Sequence, residues 1–129
     1  MNHGIILGCL QADGCSQGEL VPDRTCPDIN LKRSGGAHKI ATFLRKNDWD
    51  IEVLDYWLAF TTDEFKQFIH SRVTADTKFI GASVTFGYRG KYLKRAQDHL
   101  AWVKEAYPDV MIIGGSKSLI DTMNLPCDY

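Results

Sequence analysis

Apolar residues fall into short runs separated by longer amphipathic stretches. The first run, Gly4-Ile5-Ile6-Leu7-Gly8-Cys9-Leu10, is apolar on both faces, the pattern of a strand covered on both sides. Residues 11–33 break the pattern with Gly14, Gly18, Pro22 and Pro27 and predict a loop too long to be incidental in a compact domain. From Ser34-Gly35-Gly36 onward, Ala37, Ile40, Ala41 and Leu44 recur at helical spacing, with Lys39, Arg45 and Lys46 on the polar side. This predicts a first helix that turns all four apolar residues inward. Trp49 to Leu54 alternates as a second strand, and Asp55-Tyr56-Trp57 ends it.

Thr61 and Glu64 have the spacing of a capping box, so a second helix starts there with Phe65, Phe68 and Ile69 as its inner stripe. Phe79 to Val84 is a small, apolar third strand, followed by a turn-rich loop over Thr85 to Gly90. Tyr92, Ala96, Leu100, Val103 and Tyr107 mark a third helix stopped by Pro108. Val110 to Ile113 is the fourth strand, running into Gly114-Gly115-Ser116, with a short helix near Ser118-Leu119-Ile120. The β-α-β-α-β-α-β order implies right-handed crossovers, a mostly parallel sheet and helices on both faces. The fold class is therefore α/β, a Rossmann-like or flavodoxin-like three-layer sandwich, and residues 1–129 read as a single domain.

Composition narrows the function classes. Fifteen Lys+Arg against sixteen Asp+Glu give a net charge of −1, which argues against a nucleic-acid partner. No apolar run is long enough to span a bilayer, and the first residues have no secretory pattern, so a cytoplasmic protein without a membrane partner is expected. Cys9, Cys15, Cys26 and Cys127 contain no CxxC pair. Cys9 reads as a small core residue, and reduced thiols are the expectation.

Ligands of open parallel sheets bind beyond the C-terminal strand ends. That rule selects the loop after Cys9, the Asp55-Tyr56-Trp57 turn, the stretch from Ser83 through Thr85 and Gly87 to Gly90, and Gly114-Gly115-Ser116. The helix start at Gly35 and Gly36 adds backbone N–H groups for an anion or an amide oxygen. Two readings are open at several of these positions. Ser83 is a ligand contact or a small core residue. Tyr56, Trp57 and Phe60 line a pocket or close the core. Asp55 serves a ligand or a turn. His38, in the first helical turn, is a site residue or a surface histidine, while His70 and His99 read as solvated helix positions. No P-loop, no Gly-x-Gly-x-x-Gly after the first strand and no Gly-x-Ser-x-Gly elbow is present. These residues describe a binding domain rather than a complete enzyme, with no catalytic residue to name.

Four segments in register carry a family resemblance: Ser34 to Arg45, Asp50 to Asp55, Ile80 to Thr85, and Ile112 to Ser116. Over roughly residues 4–129 the chain resembles the N-terminal cobalamin (B12)-binding domain of radical S-adenosylmethionine proteins. The resemblance implies that Ser83, Thr85, Gly114 and Gly115 approach a corrinoid and its nucleotide tail. Gly35, Gly36, Gly87 and Ser116 complete the candidate cofactor-binding set. Asp13 to Gly18 has the outline of the family's Asp-x-His-x-x-Gly segment with Cys15 in the histidine's place. The resemblance thus implies either cobalamin held without that protein ligand, or a cobalamin-free domain kept for protein interaction or substrate recognition. The four cysteines do not form the Cys-x-x-x-Cys-x-x-Cys run of a 4Fe–4S cluster. The cluster and S-adenosylmethionine are therefore expected in a downstream barrel domain, the implied partner of this one, possessing methyltransferase or related chemistry.

Overall fold

The computed structural model describes residues 1–8, 35–83, 91–115 and 117–129, and in them strands and helices alternate. The elements are β1 (His3–Gly8), α1 (Gly35–Arg45), β2 (Asp50–Asp55), α2 (Thr62–Arg72), β3 (Thr77–Ala82), α3 (Lys91–Ala106), β4 (Met111–Gly114) and α4 (Lys117–Met123). A single 3₁₀ turn, Trp57–Ala59, links β2 to α2. The four strands form one all-parallel sheet in the order β2-β1-β3-β4. The chain is thus a Rossmann-like or flavodoxin-like α/β sandwich.

Apolar character on both faces of β1 matches its place in the middle of the sheet, where all six residues are buried. The chain steps one way from β1 to β2 and the other way from β2 through β3 to β4. Right-handed crossovers then require α1 on one face and α2 and α3 on the other. Two separate cores follow. Ile5, Leu7, Ile80 and Ile112 meet Trp57, Phe65, Leu100 and Val103 beneath α2 and α3, and Ile120 and Met123 of α4 join them. On the opposite face Ile6 and Ile51 meet Ala37 and Ala41 of α1.

Local chemistry sets the helix ends. Thr61 accepts a hydrogen bond from the Glu64 N–H, and the Glu64 carboxylate accepts one from the Thr61 N–H, so the capping box forms as expected. At the far edge of the sheet, Ile112 O accepts from the Tyr129 N–H and Gly114 N–H donates to Tyr129 O, the bond pattern of a parallel neighbour. The Asp128 carboxylate takes the Ile112 N–H at 2.9 Å and pairs with Lys104. These contacts hold the Asp128 carboxyl below its usual range, the Ile112 N–H contributing most. The outer edge of β4 is thereby satisfied instead of being left open.

Four expectations need correction. The third strand spans Thr77–Ala82, earlier than Phe79 to Val84, because pairing with β1 begins at His3↔Thr77. Trp49 precedes β2 and packs its ring against Phe79 at 5.7 Å. Ile40 does not turn inward: Ala37 and Ala41 take the contact with the sheet, and Ile40 is left 55% exposed. His99 is not solvated but fully buried, stacked on Phe65 with ring centroids 4.3 Å apart. Trp57 settles into the core, with Phe60 packed against it.

Candidate functional site

One helix is about 10 Å wide and strands lie about 4.8 Å apart, so a helix covers roughly two strands. On its face α1 packs over β1 and β2. The adjoining surface of β3 and β4 forms a groove of about 640 Å³ beside it. Side-chain alternation builds the floor from Phe79, Gly81 and Ser83 on and just past one strand and Met111, Ile113 and Gly115 on and just past the next. Gly36, Ile40 and Leu44 of α1 form the wall. The lining is apolar, with Lys78 at the end nearest the strand N-termini.

Glycines shape this groove in different ways. The Phe79 ring lies over Gly4, where an added Cβ would meet it at 2.4 Å, so Gly4 lets the ring lie flat against β1. A Cβ at Gly81 would make ordinary contacts at 3.6 Å, and one at Gly36 would meet nothing within 4 Å. Both positions widen the groove without being demanded by packing. Gly114 is the opposite case. Its Cβ would lie 2.0 Å from Ile120 Cδ1 and 3.3 Å from Cys127 Sγ, so its smallness lets α4 dock on β4. That core contact accounts for Gly114 without any ligand.

Of the sequence-derived candidates, Gly36, Ser83, Gly114 and Gly115 come together along this groove at the strand C-termini. Ser83 N–H donates to Leu7 O at 2.9 Å and Gly115 N–H to Ala82 O at 3.0 Å, which fixes both at the ends of their ladders. Gly35 is the first residue of α1, next to Gly36. Thr85, Gly87 and Ser116 lie outside the described residues, as do Cys9, Cys15 and Cys26. Cys127 is half-buried, and burial, followed by the Asp128 charge, raises its thiol pKa, which disfavours the thiolate.

A second polar feature lies on the other flank of α1. His38 Nε2 is 2.9 Å from Asp55 Oδ2 at the end of β2, both side chains being partly exposed. A carboxylate in this position fixes the orientation of an imidazole. The next residue, Tyr56, is left-handed at φ 57°, an uncommon conformation for a non-glycine residue. Each residue reads in two ways from the sequence, with no sign that they meet, because positions 17 residues apart on a helix and a strand come together only once the helix is docked on the sheet.

Charge is uneven around the groove. α1 contains Lys39 and Arg45 and no acidic residue, and Lys46 follows directly. Arg45 is engaged with Ile51 O through Nε and Nη2. Among the described residues no ion pair uses Lys39, Lys46 or Lys78. No group of three His, Cys, Asp or Glu is placed to hold a metal ion, and no helix is long and apolar enough to cross a membrane, among the described residues. The chain matches no protein-family model, and no curated protein or solved structure is similar to it.

Proposed function

We propose that this domain binds a bulky small molecule at the mouth of the α1-side groove, and that the molecule is a corrinoid presented to a radical S-adenosylmethionine barrel. The observation that carries the reading is the convergence of Gly36, Ser83 and Gly115 on one apolar groove of about 640 Å³ at the strand C-termini. Small residues let a ring system approach the backbone, and an apolar groove with few polar groups suits a large, flat ligand. The corrinoid, when bound, would supply methyl-group chemistry. The residues of this chain would hold and orient it: Gly36 and Gly115 by close approach, Ser83 by its hydroxyl. His38 faces Asp55 across the other flank of α1 and takes no part in this groove. The 4Fe–4S cluster and S-adenosylmethionine belong, on this reading, to the barrel domain.

The test is titration of the purified chain with hydroxocobalamin followed by gel filtration at a protein and a visible wavelength. Co-elution near one corrinoid per chain, reduced by Ser83→Leu and by Gly36→Leu with the fold intact, is the expected result. Corrinoid eluting apart from folded protein would refute the reading and leave a cobalamin-free interaction or recognition module.

A further inference from the structure

On the face of the sheet away from the groove, rings from α2 and α3 gather at the surface. His70 of α2, Trp102 of α3 and Tyr107 just past the end of α3 meet pairwise. Ring centroids are 5.1 Å apart for His70 and Trp102, 5.7 Å for His70 and Tyr107, and 6.1 Å for Trp102 and Tyr107, all edge-to-face. Apolar packing does not account for the polar part of this cluster. Tyr107 Oη is hydrogen-bonded to His70 Nδ1. His70 is exposed, and Trp102 and Tyr107 are half-buried. Lys66 Nζ stands 5.5 Å from the centre of the Trp102 ring. The contacts also continue inward, because Phe65 lies 6.2 Å from Trp102 and 5.9 Å from the buried Trp57. Trp57 follows the C-terminal end of β2, and Tyr107 precedes the start of β4. The line of rings therefore runs from the strand edge where ligands of parallel sheets bind to the opposite edge.

We infer that Trp102, Tyr107 and His70 form an electron relay that carries an oxidising equivalent to the surface. Indole and phenol rings give up one electron far more readily than phenyl or aliphatic side chains, and ring contact lets that electron pass. A one-electron oxidant takes an electron from Trp102. Trp102 takes one from Tyr107, and the phenolic proton of Tyr107 passes to His70 Nδ1. The products are the reduced oxidant, a restored Trp102, a neutral tyrosyl radical and a His70 imidazolium. A soluble reductant of the thiol or ascorbate class then returns an electron to Tyr107, and His70 returns the proton. The neighbours favour this direction. Loss of an electron turns a phenol into a strong acid, so a base already hydrogen-bonded to it eases the oxidation. In the tautomer with its proton on Nε2, His70 is that base. The Lys66 charge opposes a cation radical on Trp102, so the electron vacancy moves on to Tyr107. The relay lies across the sheet from the groove, and the inference does not depend on the corrinoid reading.

The experiment is pulse radiolysis of the full chain in azide solution. The azidyl radical takes one electron from indole in preference to phenol near neutral pH and becomes azide ion. The expected result is decay of the tryptophyl absorbance matched by a rise of the tyrosyl absorbance. Its rate should be first-order, independent of protein concentration, and slower in heavy water. Tyr107→Phe and, separately, Trp102→Phe should abolish this conversion with the circular dichroism spectrum unchanged. In the second variant the radical forms on Trp49, which packs on Phe79 on the other face of the sheet, and persists there. His70→Phe should slow the conversion at least about tenfold. Tyr129→Phe should leave it unchanged, although Tyr129 is 74% exposed. A rate that rises with protein concentration, loss of the conversion in Tyr129→Phe with retention in Tyr107→Phe, or indifference to His70→Phe would overturn the inference. Absence of any conversion in the parent chain would overturn it too, leaving the rings a packing cluster.

Discussion

Between pH 6.5 and about 4, acid should weaken this fold through His99. Its ring is fully buried, stacked on Phe65 and 5.9 Å from Trp57. Nε2 lies 3.3 Å from Phe60 O, and Nδ1 is buried without a hydrogen-bond partner. Burial pulls its pKa from 6.5 to about 4; the bond to Phe60 O works against this, Arg95 and Lys66 reinforce it, and Asp98 opposes it. The unfolded chain takes up a proton near pH 6.5 that the folded chain refuses until about pH 4. Stability is therefore complete above pH 6.5, falls as pH drops through that window, and levels off below pH 4. At about 1.4 kcal/mol per pKa unit the loss reaches about 2 kcal/mol at pH 5 and about 3 kcal/mol at the acid end. That is a large part of the total for a domain of this size.

The assay is urea unfolding of the parent and His99→Phe at several pH values from 7 to 4.5. Phenylalanine keeps the stack on Phe65 and removes both the proton site and the orphaned nitrogen. Its extra volume adds a constant offset of order 1 kcal/mol, which does not depend on pH. Other groups titrate equally in both proteins, so the difference between the two curves isolates His99. That difference should move in favour of the variant by about 2 kcal/mol on going from pH 7 to pH 5. A difference that stays flat with pH, or a parent that gains stability in acid relative to His99→Phe, would refute the reasoning.

Three further outcomes follow from the packing. Thr61→Ala removes half of the capping box and should cost about 1 kcal/mol, read as a lower urea midpoint with an unchanged slope. Gly114→Ala should cost about 1–3 kcal/mol because its Cβ collides with Ile120, whereas Gly36→Ala, opening onto free space, should be neutral or stabilise by up to about 1 kcal/mol; thermal melts of the pair separate the two. Asp128→Asn should remove the Lys104 ion pair and weaken the hold on the Ile112 N–H, and the acid-side contribution of this depressed carboxyl, present above its unfolded pKa and lost as pH falls, should disappear from the stability profile.

Periodicity located the helices and strands because each element buries a face, and a buried face leaves a regular mark in the chain. It failed where residue type and position disagreed. His99 lies seven residues after Tyr92 and three after Ala96, squarely on the inner stripe of α3, yet polarity suggested solvent. Ile40 shows the converse, an apolar residue at inward spacing that looks onto the groove because two alanines bring α1 close to the sheet. The strand-end rule selected Ser83, Gly114 and Gly115, which line the groove, since topology alone fixes where strands end, and the glycine-rich helix start added Gly36. It did not reveal Phe79, Gly81 or Lys78, whose common surface depends on which strands neighbour each other. Nor did it reveal that the smallness of Gly114 also serves Ile120 of α4 on the other face of the sheet.

This division between the faces bears on how the groove should be probed. Gly114→Val would perturb any ligand simply by displacing α4, so loss of binding in that variant says nothing about contact. Ser83 and Gly81 are better probes because they lie two residues apart, one just past the end of β3 and one within it, and both line the groove. Ser83 is at the mouth, where the ladder ends, and Gly81 is one step further into the groove, near Phe79. A leucine at each narrows a different part of one groove. A corrinoid seated at the mouth should be weakened by Ser83→Leu and spared by Gly81→Leu. Equal loss in both variants would place the corrinoid along the whole length of the groove, and loss in neither would refute its assignment to this face.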